Sequence, residues 1–201
     1  EFLISLVKGG GTEMGIDVTS LGIQIHGGMG FIEETGAAQF WRDARITTIY
    51  EGTTGIQAND LIFRKLLRDR GATAQWLFAQ IEATAAALLM DADASLNLVG
   101  QRLQLGLAQW REVTELVLRA AKGQPEGVLT AAGPYLSLAV TVSNAWLMGS
   151  AALAAGKRLA AGDSATDFLN GKRQSARFFA DHVLPQAGAF AVTVRACLDM
   201  T

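Results

Sequence analysis

The chain has 201 residues, 50% hydrophobic and 18% charged, which is ample apolar material for one large or two small packed domains and excludes a disordered chain. Its 17 basic and 19 acidic side chains leave a net charge of -2, giving no electrostatic drive toward nucleic acid or anionic lipid. Cys197 is the single cysteine, so no intrachain disulfide can form, which fits a reducing compartment.

The opening E-F-L-I-S-L-V is apolar and carries no initiator Met, basic n-region or cleavage site; it reads as the interior of an element in a longer protein. Gly9-Gly10-Gly11 is expected to separate it from a helix over Thr12–Ile25, where Met14, Val18, Leu21 and Ile25 share one face. That helix should end before Gly27-Gly28, where no Cβ opposes a left-handed turn. Thr35 is expected as a cap or early-turn residue before a helix over Ala37–Arg45 with Phe40, Ala44 and Trp41 on its apolar side. Ile46 to Tyr50, β-branched and aromatic, is expected as an extended connector. Glu51-Gly52-Thr53-Thr54-Gly55 should then turn into a helix from about Ile56 to Arg68, with Thr53 or Thr54 as its cap.

Beyond Gly71 the chain becomes a series of Ala- and Leu-rich segments, near 73–93, 95–122, 128–160, 164–184 and 186–199, with no strand signal. Breaks at Asp93-Ala-Ser95, Gly123 to Gly127, Gly162-Asp163-Ser164 and Pro185 carry cap or breaker chemistry, and short links between long helices imply antiparallel neighbours in a bundle. Gly127 to Gly156 has no Asp, Glu, Lys, Arg or His and is longer than the roughly 20 residues that span a bilayer. Pro134, the many small residues and the stripe Ser137, Thr141, Asn144 favour a buried bundle helix over a membrane span. Its small residues Ala139, Ala145, Gly149 and Ala152 should let another helix approach closely. Trp41, Trp76, Trp110 and Trp146 are expected as packing anchors on separate segments. Arg42, Asp43 and Arg45 are expected to form a structural charge network. His26 and His182 are the only histidines, and neither has Cys or carboxylate neighbours at ligand spacing, so no metal site is expected.

Two patterns can carry chemistry. In Gln24-Ile25-His26-Gly27-Gly28-Met29-Gly30, bare glycines let backbone N–H groups approach an anion, although the same residues could serve only as a helix C-cap. In Tyr50-Glu51-Gly52-Thr53-Thr54, a carboxylate sits between a shielding aromatic ring and a glycine that leaves room for a substrate. Taken alone, Glu51 could equally be a charge interacting with a helix N-terminus.

Together, Q-x-x-G-G-x-G and Y-E-G-T at this spacing resemble the C-terminal helical domain of the flavin-dependent acyl-CoA dehydrogenases. The resemblance covers about residues 2 to 70. It implies an all-α fold: residues 1–70 as the final part of that helical domain, and 71–201 as an additional helical domain like that of the larger bacterial members, including those acting on methylthiopropionyl-CoA. It implies FAD as cofactor, an acyl-CoA thioester as substrate, oxidation to the trans-2-enoyl-CoA, and electron-transfer flavoprotein as acceptor; an oxidase passing electrons to oxygen is the alternative. By the same resemblance Glu51 is the base for the α-proton, a task for which desolvation beside an acyl chain would strengthen it. Its backbone amide, with a ribityl hydroxyl, would hold the thioester oxygen. Tyr50 and Gly52 would line the substrate, and Thr53 and Thr54 would contact the flavin nucleotide. Gly55 stands where some relatives carry Gln or Glu, leaving only backbone contact there. Gln24, Ile25, His26, Gly27 and Gly28 would reach FAD held mainly by an adjacent subunit. A homo-oligomer, dimer or tetramer, and a bacterial cytoplasmic location (the mitochondrial matrix in a eukaryote) are implied, with a helical assembly module as the non-catalytic alternative for the isolated segment.

Overall fold

Gly9, Gly10 and Gly11 do not break the first helix. The computed structural model describes residues 1–199, and in it α1 runs unbroken from Phe2 to Ile25. Gly9 and Gly10 are a notch rather than a terminus, while Gly11 faces open space. A Cβ on Gly9 would lie 2.7 Å from Leu136 Cδ2, and one on Gly10 would lie 2.4 Å from Val140 Cγ1. The crossing with the long helix near the middle of the fold therefore requires bare backbone. Each glycine costs a helix interior about 1 kcal/mol relative to alanine, and at Gly9 and Gly10 the close helix crossing sets packing against that cost.

Among the described residues there is no strand, and 84% of the chain is helical. After α1 come a one-turn α2 (Gly28–Phe31), α3 (Ala37–Thr47) and α4 (Thr54–Asn59), which continues as a π-helical run over Asp60–Leu66. Then follow α5 (Ala72–Leu89), α6 (Ala94–Ala120), α7 (Pro125–Ala160), α8 (Thr166–Phe178) with a π-helical run over Phe179–Val183, and α9 (Gln186–Asp199). The expected connector at Ile46 to Tyr50 is instead the last turn of α3 followed by a tight turn. The hydroxyls of Thr47 and Thr48 donate to the carbonyls of Ala44 and Arg45 at 2.6 and 3.1 Å, satisfying the helix-end acceptors that an extended chain would leave free. Thr35 donates its hydroxyl to Met29 O at 2.7 Å, and the cap position of α3 belongs to Gly36.

The uncharged segment is the core of the bundle, with α1, α4, α5, α6, α8 and α9 all packed on α7. Pro125 opens α7 at its first turn, where a missing N–H costs nothing. By length and mean hydropathy α7 could cross a membrane, yet Ala139, Val142, Ala145 and Ala152 are buried against other helices. A Cβ on Gly149 would meet Leu88 Cδ1 at 2.8 Å, the close helix approach expected of this stripe. One continuous apolar cluster runs from Phe2 and Leu6 through Leu61, Ile62 and Leu66 into α5–α9. The chain on either side of residue 70 thus shares a core.

Polar groups set the joints. Asp93 caps α6 by accepting from Ser95 N at 2.8 Å, and Asn97 Nδ2 approaches the carbonyls of Leu88, Leu89 and Asp91 at 2.9–3.0 Å, closing α5. Under α1, the Lys65 ammonium lies 2.8 Å from both Asp60 Oδ2 and Ser5 Oγ, and the Lys65 hydrogen bond holds the Asp60 carboxyl below its usual range. Two expectations are revised. Of the four tryptophans only Trp110 is fully buried, edge-on to Phe78 with ring centroids 4.9 Å apart. Trp146 is half-buried and donates to Thr84 Oγ1 at 2.8 Å, while Trp41 and Trp76 are exposed. The Arg42, Asp43, Arg45 network does not form: Arg42 makes a two-pronged pair with Glu33, and Arg45 donates to Thr48 Oγ1 at 2.7 Å.

The Tyr135 hydroxyl lies fully buried 2.8 Å from Thr114 Oγ1. Burial pushes its phenol up to about 12, opposed in part by the Thr114 hydrogen bond. A phenol that resists ionisation when folded contributes stability that is complete below pH ~10 and is lost as pH rises toward ~12. Between pH 10 and 12 the folded chain should therefore lose up to about 3 kcal/mol relative to a Tyr135→Phe variant. Urea unfolding of both proteins across that range measures it, and a constant difference would refute it.

Candidate active-site loop

The turn carrying Glu51 is built from its floor upward. Thr48 is buried, its hydroxyl bonded to Arg45 and its carbonyl accepting Thr54 N–H at 3.3 Å. This bond closes a loop in which Glu51 has φ 53 and Gly52 φ 91. For a residue with a Cβ the left-handed region costs about 1–2 kcal/mol, and such strain persists only where surrounding contacts impose it.

Those contacts come from both sides. Gln57 Nε2 donates to Glu51 O at 3.3 Å, and Thr53 caps α4 by accepting Ile56 N–H at 3.3 Å. From α1, Lys8 Nζ donates to Thr47 O at 2.6 Å and sits 5.5 Å from the centroid of the Tyr50 ring. Five residues along the same helix, Glu13 Oε1 accepts from Thr54 Oγ1 at 2.6 Å. The cap role expected for Thr53 or Thr54 thus falls to Thr53, while Thr54 ties the loop to α1. Beside this tie, Ser137, Thr141 and Asn144 of α7 face a cleft of about 450 Å³ that Glu13 and Thr54 also line.

Tyr50, Glu51, Thr53 and Gly55 are exposed, and Gly52 and Thr54 are partly covered. The second motif lies elsewhere. Gln24 and Ile25 end α1, His26 follows, and Gly27 turns the chain at φ 59 into α2, which Gly28 begins. All five are exposed. Gln24 is eleven residues beyond Glu13 on α1, about 16 Å along the helix axis. One rigid helix therefore carries the two motifs to separate places rather than into a single pocket. Among the described residues no group of His, Cys, Asp and Glu is arranged to hold a metal ion. His182, expected at a helix end, lies in the π-helical run after α8, against the Phe178 ring with centroids 4.7 Å apart.

Lys8, Glu13 and Gln57 escape a reading of the sequence alone. Their partners are 39, 41 and 6 residues away, and two of the three contacts go to backbone carbonyls, which leave no trace in side-chain spacing.

Residues 1–66 match the family described as Acyl-CoA dehydrogenase, C-terminal domain, and residues 77–200 match the one described as Acetyl-CoA dehydrogenase C-terminal like. The 3-methylmercaptopropionyl-CoA dehydrogenase of Ruegeria pomeroyi is 47% identical over 94% of this chain and 32% of its own length. A butyryl-CoA dehydrogenase of Syntrophomonas wolfei is 31% identical over 90% of this chain and 30% of its own. The broad-specificity linear acyl-CoA dehydrogenase FadE5 of Mycobacterium tuberculosis is 39% identical over 41% of this chain and 13% of its own. The chain spans about a third or less of the curated relatives it matches.

Proposed function

Because this chain belongs to the acyl-CoA dehydrogenase family, we propose that it is the C-terminal helical portion of an FAD-dependent enzyme that desaturates an acyl-CoA thioester between its α and β carbons. The observation that carries the reading is Glu51: a carboxylate-bearing residue between an aromatic residue and a glycine, in a loop whose left-handed backbone is held by tethers from two helices. Residues 1–70 complete the helical domain shared by the family, and 71–201 form an added helical domain. A homo-oligomer, transfer of electrons to an electron-transfer flavoprotein, a role in fatty-acid β-oxidation and a bacterial cytoplasmic setting complete the proposal.

The residues present suit FAD. At Gly27 and Gly28 an added Cβ would meet nothing within 4 Å, so bare backbone lies open to a pyrophosphate. Thr53 and Thr54 bring hydroxyls to the loop next to Glu51. FAD, when bound, supplies the acceptor for the β-hydride. Glu51 takes the α-proton, Tyr50 shields the carboxylate from water, and Gly52 leaves room for the acyl chain. The Glu51 amide donates to the thioester oxygen and so acidifies the α-carbon.

Anaerobic mixing of the full-length flavoprotein with short acyl-CoAs, butyryl- and methylthiopropionyl-CoA among them, tests the reading. Bleaching of the oxidised flavin band supports it, and an unchanged spectrum with every thioester refutes it. The same reading predicts that this segment alone holds FAD weakly, because the candidate contacts are mostly exposed and lie at two separate places in the fold. Equilibrium dialysis should give a Kd above 1 μM, a binding free energy weaker than about -8 kcal/mol; submicromolar, stoichiometric binding would contradict it.

A further inference from the structure

We propose that Lys8 is a positioning residue for the Glu51 base, an inference that rests on the role just given to Glu51. Lys8 stands on α1 and touches the loop at two points. Its ammonium donates to Thr47 O at 2.6 Å, at the last turn of α3, and it lies 5.5 Å from the Tyr50 ring centroid.

Three features make this more than a surface lysine. Lys8 is half-buried, and its ammonium has no carboxylate within salt-bridge distance among the described residues, so its polar contact is the end of α3 that leads into the loop. Its acceptor is a carbonyl at the C-terminal end of a helix, where the backbone dipole favours a cation. Its aromatic contact is the side chain immediately before Glu51, and a cation against a ring face is attracted to it. The strained Glu51 backbone therefore hangs between Lys8 at the loop's entry and Glu13 and Gln57 at its exit. Without the Lys8 tether, the Tyr50 ring and the entry side of the loop keep only the backbone hydrogen bonds to Ile46 O and Thr48 O and are held less firmly. A base misplaced by about 1 Å can lose 100-fold in rate. Tyr50 also lines the proposed substrate site, so KM should rise, but by less than the rate falls.

The test uses the full-length flavoenzyme with Lys8→Met, Lys8→Arg and Glu51→Gln, measuring flavin content, KM, flavin reduction and α-hydrogen exchange in deuterated water. Lys8→Met should retain FAD while flavin reduction and exchange both fall at least tenfold, with any rise in KM smaller than that fall. Lys8→Arg, which keeps a cationic donor, should recover most of that loss. If Lys8→Met fails to retain FAD, Lys8→Ala, which also removes both the donor and the cation, replaces it with the same expected split. Parent-like rates in Lys8→Met alongside an inactive Glu51→Gln would overturn the positioning role alone. So would a loss that Lys8→Arg does not recover, or one confined to KM. Flavin reduction that persists in Glu51→Gln would instead overturn the role of Glu51.

Discussion

Glu51→Gln in the full-length enzyme should lower flavin reduction by about 10²–10⁴-fold, the range a positioned general base contributes, with FAD retained and acyl-CoA binding within a few-fold of the parent. Glutamine keeps the shape of the side chain and removes its basicity. The left-handed backbone at φ 53 makes no demand for a carboxylate, so the turn should survive the change. Gln57 grips the Glu51 carbonyl rather than its side chain, and Lys8 grips its neighbours. The side chain is therefore released from any structural duty in the loop. α-Hydrogen exchange in deuterated water separates the proton step from hydride loss, and both should fail together. Exchange at the parent rate would remove Glu51 as the base.

The sequence made helices legible wherever caps and breakers are local. Asp93, Thr53, Pro125 and Gly27 act within a few residues of themselves, and the structure uses them as helix ends or turns. It misled where a residue's role is set by a distant partner. Gly9-Gly10-Gly11 has the composition of a break, but its meaning depends on Leu136 and Val140, about 130 residues away. Ile46 and Thr47 have strand-like side chains and nevertheless close a helix, because threonine hydroxyls satisfy its last carbonyls. The same division holds for the candidate site. Glu51 and the glycine loop are contiguous motifs and could be read. Lys8, Glu13 and Gln57 reach the loop from other turns and other helices, which only a fold can bring together. Exposure along the chain was the least legible quantity: Trp110 and Trp76 are the same residue type in neighbouring bundle helices, one fully buried and the other 58% exposed.

An aspartate at Val142 should unfold the bundle. Val142 is fully buried on α7, and a Cβ on Gly106 of α6 would stand 3.3 Å from Val142 Cγ2 and 3.1 Å from Leu184 Cδ1. The space is apolar on the α6 side and closes toward the chain after α8. No charged residue lies on α7 between Glu126 and Lys157, so an introduced carboxylate would have no partner on its own helix. Burying an unpaired ionised group costs several kcal/mol even when the group neutralises itself, against a total stability of about 5–15 kcal/mol for a chain of this size. A loss of about 4 kcal/mol or more is expected, large enough to collapse the thermal transition. Ala154, exposed on the same helix, supplies the control: Ala154→Asp adds the same charge to α7 and should shift stability by no more than about 0.5 kcal/mol. Circular dichroism melts of the two variants separate burial from charge, since the helix, its length and the added group are identical in both. Equal melting temperatures for Val142→Asp and the parent would mean that water reaches this face of α7, and that the core does not close around it.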